Sequence, residues 1–178
     1  MNIELRQATI TDIPALEELI PVSVTALSVE HYTSEQIQSA LSHVFGVDTQ
    51  LIVDGTYFVA EIEGQLAGSG GWSKRTTLFG GDQSKADRVD SLLDPAVEAA
   101  RIRAFYVHPR WSRRGVGSRI LTACEDAARA AGFSRIELIA TLPGEPLYTA
   151  RGYKKADAMQ LATPDGESLP AFRMTKSL

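Results

Sequence analysis

Two periodicities alternate along the chain, and their order already outlines a fold. Ile3-Glu-Leu-Arg-Gln-Ala-Thr9 alternates apolar and polar positions as a half-buried strand does. Thr11-Asp12 before Pro14 opens a helix with Ile13, Leu16, Leu19 and Ile20 on one face, which Pro21 is expected to end or kink near Ile20. Thr33-Ser34 with Glu35-Gln36 caps a second helix carrying Ile37, Leu41 and Val44-Phe45, with Gly46 at its close. Thr56 to Ile62 and Gln65 to Ser73 read as a hairpin about Glu63-Gly64. Gly68, Gly70 and Gly71 weaken its second strand and mark a bulge or a close approach to the backbone.

The second half has the stronger pattern. A strand at Phe105-Tyr-Val107 ends at Pro109, a basic glycine loop follows, and a helix begins directly after it. Ile120, Leu121, Cys124, Ala127, Ala128 and Ala131 share one face of that helix, opposite Arg119, Thr122, Asp126 and Arg129. Phe133 to Thr141 is a strand reached by a helical crossover, so it lies parallel to its partner. Leu147 to Arg151 is one short helix stopped by Gly152, and Tyr153 to Leu161 pairs with Leu169 to Thr175 across Pro164-Asp-Gly166. Lys74 to Ala99 breaks the pattern. Its core, residues 76–97, is expected as a mobile flap or subunit contact near the acceptor, against the plainer reading of a surface loop.

Composition fits a single α/β domain over residues 1–178: 44% apolar and 22% charged residues, with no repeat or linker. The start lacks a secretory pattern and no apolar run approaches membrane-spanning length, so a cytoplasmic location without membrane association is the expectation. Cys124 stands alone and on an apolar face, which makes it core filler rather than a nucleophile. No metal is expected, because His31, His43, His108 and Cys124 show no ligand spacing.

Charge singles out the glycine loop. Six of the chain's 18 lysines and arginines lie between Arg101 and Arg119, a stretch without an acid, in a protein of net charge −4. One cationic patch in an otherwise acidic chain suits a small polyanion better than nucleic acid. The helix after the loop offers unpaired N–H groups and a partial positive charge, the physical basis of phosphate binding. Two other glycine motifs fail. A dinucleotide fingerprint needs a small residue at position 120, which is Ile, and no Gly-Lys-Ser/Thr occurs.

The run Val107-His-Pro followed by Arg113-Arg-Gly-Val-Gly-Ser118 resembles the acetyl-CoA signature of the GNAT superfamily of N-acetyltransferases. Ser112 departs from the Gln or Arg that the family favours three residues before the first glycine; binding there is mainly through backbone amides. Leu147-Tyr-x-x-x-Gly-Tyr153 looks like the family's second motif, with Tyr148 at the position of the tyrosine near the CoA sulfur. The resemblance covers the element order of the whole chain. It implies an α/β (α+β) fold with a mixed, mostly antiparallel seven-stranded sheet, flanking helices and two splayed central parallel strands.

The resemblance also implies roles. Acetyl-CoA is the co-substrate, held by Arg113, Arg114 and the amides of Gly115, Val116, Gly117 and Ser118, with the backbone of Phe105, Tyr106 and Val107 against the acyl and pantetheine groups. Thr141 stands where many relatives have a CoA-contacting Asn, and Tyr148 is the general acid. The acceptor is a primary amine; the acidic chain, without an extended peptide-groove signal, favours a small molecule over a peptide, with Glu30, His31, Tyr32 and Trp72 as candidate pocket residues, Trp72 against the plainer reading of an inward core tryptophan. Glu137, Glu61 and Glu30 are candidate bases, and His108 is expected in a structural or phosphate-neighbouring place. A catalytically silent acyl-CoA-binding or regulatory module on the same fold, and a homodimer, stay open.

Overall fold

The computed structural model describes residues 2–84 and 90–178. The part of the 76–97 expectation that falls on residues 85–89 lies outside the described residues. The chain runs β1 (Glu4–Gln7), α1 (Ile13–Ser28), α2 (Ser34–His43), α3 (Thr49–Val53), β2 (Tyr57–Ile62) and β3 (Gln65–Ser73). Then come β4 (Ala100–Val107), α4 (Val116–Ala130), β5 (Arg135–Thr141), α5 (Glu145–Ala150), β6 (Lys154–Ala162) and β7 (Ser168–Ser177). The strands form one sheet in the order β1-β2-β3-β4-β5-β7-β6, antiparallel everywhere except β4 against β5.

Strand alternation sends side chains to two cores. Phe58, Ala60, Ile136 and Leu138 meet Ile120, Leu121, Cys124 and Ala128 of α4 on one face. Tyr57, Val59, Leu161 and Leu169 meet Leu16, Leu19, Ile37 and Leu51 of α1 to α3 on the other.

Two expectations change. The first helix does not stop at Pro21 but runs on to Ser28. Pro21 faces solvent, where water can take the carbonyl it leaves unpaired, and the buried stripe of Leu16, Leu19, Ile20, Ser23 and Val24 continues on both sides of it. Ala131 is exposed rather than core, and Glu125 is buried on α4 instead, held by the Lys176 ammonium at 2.9 Å. The short helix α3 carries no pattern long enough to read in advance. The capping box is as expected: Thr33 Oγ1 accepts from the Gln36 amide at 3.2 Å and the Gln36 side chain accepts from the Thr33 amide at 3.0 Å.

The described part of the 76–97 segment is docked, not detached. Gly81 donates its N–H to Val44, Asp82 to Val47 and the Gln83 side chain to Phe45, while Arg75 forks onto Asp54 and Leu93 is buried.

Candidate active site

Between β4 and β5 the register holds only at Ala100 with Ile136 and Arg101 with Glu137. Beyond those pairs the strands part, as expected of two splayed parallel strands. The gap opens a cavity of about 700 Å³ that crosses from the α4 face of the sheet to the α1–α2 face.

A bulge in β4 aims the strand into this gap. The β3–β4 register shifts between Ser69 and Gly71, and Ala104 takes a φ of 50°. Phe105 and Val107 then face the α4 side and Tyr106 the α1 side. Gly70 is the close approach the glycine cluster signalled, since a Cβ there would lie 2.4 Å from Cδ2 of Phe105. The amide of Val107 is taken by Oγ of Ser23 on α1, at 3.1 Å.

The loop after β4 is built around Trp111. His108 Nδ1 accepts from the Arg110 amide at 3.1 Å and so caps a short 3-10 turn, a structural place. The Arg110 and Arg114 guanidinium groups lie over the buried Trp111 ring at 4.7 and 5.6 Å. Arg113 is exposed and lines the cavity. Gly115, with φ 88°, precedes α4 without a side chain to cap it, and the helical bonding starts at Arg119 N–H to Gly115 O, 3.0 Å. The amides of Val116, Gly117 and Ser118 therefore precede the helix's own bonding, and Gly115, Gly117 and Ser118 line the cavity. These residues fit a pyrophosphate. A Cβ on Gly115 would meet nothing within 4 Å, so only its left-handed backbone demands glycine, whereas one on Gly117 would lie 3.0 Å from Leu147 of α5.

The cationic patch is smaller than the sequence suggests. Arg101 is paired with Glu137, and the guanidinium of Arg103 is fully buried on the carboxylate of the equally buried Asp48. Only Arg110, Arg113, Arg114 and Arg119 of the six arginines surround the loop.

Tyr148 comes from α5, whose first turn includes Pro146. Its ring is buried edge-on between Phe105 and Tyr153, at centroid distances of 6.0 and 5.7 Å, and lines the cavity. Burial, with Cys124 and Tyr106 nearby, pushes its phenol well above the ordinary tyrosine range, so it stays a neutral donor. Thr141 at the end of β5 lines the same opening.

Glu30 and His31, both exposed, line the cavity. Two other candidates do not. Trp72 is 5% exposed and packs edge-on against Phe133 in the α4-side core, because its strand position turns it away from the gap. Tyr32 is a buried tie, donating its hydroxyl to Pro170 O at 2.7 Å and accepting from the Leu142 amide at 2.8 Å. Val116 and Arg114 lie beside the loop rather than in the cavity wall; Val116 is buried. Of the candidate bases, Glu137 is held by Arg101 and Arg173, and Glu61 by Arg6, both away from the gap. Cys124 is buried with its thiol pushed up by desolvation, the state of core filler. Among the described residues no group of three or more His, Cys, Asp or Glu comes together, and no helix is long and apolar enough to cross a membrane.

Sequence reasoning missed Ser23, and also the cavity walls at Leu27, Phe45, Leu78 and Phe79. Nothing local marks them, since α1, the turn after α2 and the segment after β3 meet only at the gap.

Residues 24–153 match the acetyltransferase (GNAT) family. A GCN5-related N-acetyltransferase of Rhodopseudomonas palustris superposes with a TM-score of 0.74 at 22% identity, over 100% of this chain and 97% of that one. The PaiA N-acetyltransferase of Thermoplasma acidophilum, solved in complex with coenzyme A, gives 0.68 at 18% identity over 100% of both chains. A ribosomal-protein-alanine N-acetyltransferase of Brucella melitensis gives 0.62 at 19%, over 98% and 99%. No curated protein matches the chain.

Proposed function

The chain belongs to the acetyltransferase (GNAT) family, and we propose that residues 1–178 form one domain that moves an acetyl group from acetyl-CoA directly to a primary amine of a small molecule. The observation that carries this reading is the single cavity through the β4–β5 gap, with the loop amides and Tyr148 on one side and an acceptor-sized space on the other. Two substrates entering from opposite faces would meet at the bulge of β4.

Arg113 and the amides of Gly115 to Ser118 would hold the CoA pyrophosphate at the helix N-terminus. Backbone N–H groups of β4 facing the gap would orient and polarise the thioester carbonyl. Ser23 Oγ accepts from the Val107 amide. That amide reaches the pantetheine only as the serine hydroxyl yields it. The amine nitrogen adds to the carbonyl carbon with its lone pair, a C–N bond forms and the C–S bond breaks. Tyr148 gives its phenolic proton to the departing thiolate and regains one from water, while the nitrogen loses its surplus proton to water.

Support for a small acceptor comes from the docked 78–84 segment, which walls the acceptor side instead of leaving an open trough. The test is release of CoA thiol from acetyl-CoA with a panel of amines. Amine-dependent thiol release with formation of the N-acetyl product supports the transferase. Tight acetyl-CoA binding without turnover on any amine would leave a silent acyl-CoA-binding module.

A further inference from the structure

We propose that the acceptor is a primary amine on an apolar, aryl-bearing body, an aralkylamine such as 2-phenylethylamine. This rests on the transferase reading of the same cavity. On the α1–α2 face the cavity is walled by Leu27, Phe45, Leu78, Phe79, Ile139 and Leu161. These come from α1, the turn after α2, the docked segment, β5 and β6, and Phe45, Phe79, Ile139 and Leu161 are continuous with the apolar core of that face. The wall is held in place: Gly81 N–H on Val44 O at 2.8 Å and the Gln83 amide on Phe45 O at 2.8 Å fasten the segment carrying Leu78 and Phe79.

The charges around this half argue against polar acceptors. Arg103, next to the bulge residue Ala104, lines the cavity but has its side chain fully buried, with Nη2 on Asp48, so its charge is already neutralised within the protein rather than left for a substrate carboxylate. Glu30 and His31 are exposed, and no second acid accompanies Glu30 among the described lining residues, so a polyamine meets one anion where it needs several. Apolar walls also disfavour the ammonium form. An alkylammonium of ordinary pKa about 10.4 loses its proton more readily when desolvated. The pocket itself therefore favours a neutral amine, and of the three candidate bases only Glu30 lines the cavity, since Glu61 and Glu137 are held by arginines elsewhere.

The experiment measures kcat/KM on the full chain for ethylamine, butylamine, 2-phenylethylamine, spermidine, glutamate and an alanine-initiated tripeptide. Each methylene matched by an apolar wall contributes roughly 10-fold or more, so kcat/KM should climb from ethylamine to 2-phenylethylamine by at least about 100-fold. Phe79→Ala should collapse that ratio while the CoA dissociation constant, read by calorimetry, stays put. Leu78→Asn reads the same wall if the first variant does not fold. Spermidine, glutamate or the tripeptide outrunning 2-phenylethylamine, or a ratio untouched in both variants, overturns the acceptor class and leaves the transferase standing. Acetyl-CoA binding with no amine acetylated overturns the transferase reading itself.

Discussion

The fully buried hydroxyl of Tyr57 donates a 2.9 Å hydrogen bond to the carbonyl of Ala104, the residue whose left-handed backbone makes the β4 bulge. Ser69 Oγ lies 3.0 Å from the same hydroxyl. A non-glycine residue at a φ of 50° is held against its preference, and here the partner that pins its carbonyl comes from two strands away. Tyr57→Phe should cost about 1–3 kcal/mol by leaving that buried carbonyl short of a partner. Because the bulge aims the amides that face the gap, kcat should fall as well. Urea unfolding and steady-state kinetics together check this; a variant less stable but equally fast would make Tyr57 structural only.

Tyr148→Phe keeps the ring against Phe105 and Tyr153, so stability and CoA affinity should change little. Removal of the proton donor should lower kcat about 10²- to 10⁴-fold, equivalent to ~3–5 kcal/mol of barrier. A phenylalanine variant with near wild-type kcat on its best amine would assign the thiolate's proton to solvent.

How far the sequence reaches is clearest in these two tyrosines. Tyr148 was legible because its partners in the motif, Gly152 and Tyr153, lie within five residues and the glycine loop co-occurs upstream. Tyr57 reads only as an inward strand residue, since its bond spans 47 positions; Ser23 reaches Val107 across 84. The same division runs through the fold. The Thr33–Gln36 box, the hairpin at Glu63-Gly64 and the closing hairpin at Pro164 to Gly166 are local chemistry and appear as read. Pro21 inside α1 and the commitment of Glu137 to two arginines are set by what packs against them, which local patterns do not carry.

Gly117→Val should act through packing. A Cβ at Gly117 would already press on Leu147 Cδ2 at 3.0 Å, and the added methyls would push α5 away from α4 and carry Tyr148 with it. The expected outcome is weaker CoA binding together with a lower kcat, measured by calorimetry and thiol release. Unchanged CoA affinity in a folded variant would remove the loop from the binding site.

The pH profile follows from the raised phenol. An acid whose pKa is pushed up stays protonated to higher pH, so Tyr148 should give no descending limb in kcat from neutral pH to about 10. The ascending limb belongs to the amine losing its proton, and in an apolar pocket it should lie below the pKa of the same amine in water. A fall in kcat below pH 9 that disappears in Tyr148→Phe would place the phenol's titration where burial says it is not.

Arg103 and Asp48 join β4 to the residue before α3 with neither side chain reaching solvent, and Arg103 also reaches Gly80 O at 3.4 Å, which ties the cavity wall at Gly80 to the strand bearing the bulge. Burial pulls the guanidinium's pKa below its usual range, although Asp48 opposes this, so the ion depends on its carboxylate. Asp48→Asn would strand the charge and should cost about 3–5 kcal/mol, whereas replacing both partners with apolar residues, Asp48→Leu with Arg103→Met, should cost much less. Urea midpoints for the two single variants and the double variant measure the coupling. The double variant still lacks the bond to Gly80, so it should recover stability without recovering the KM for amine. If it recovers both, the pair serves the fold alone.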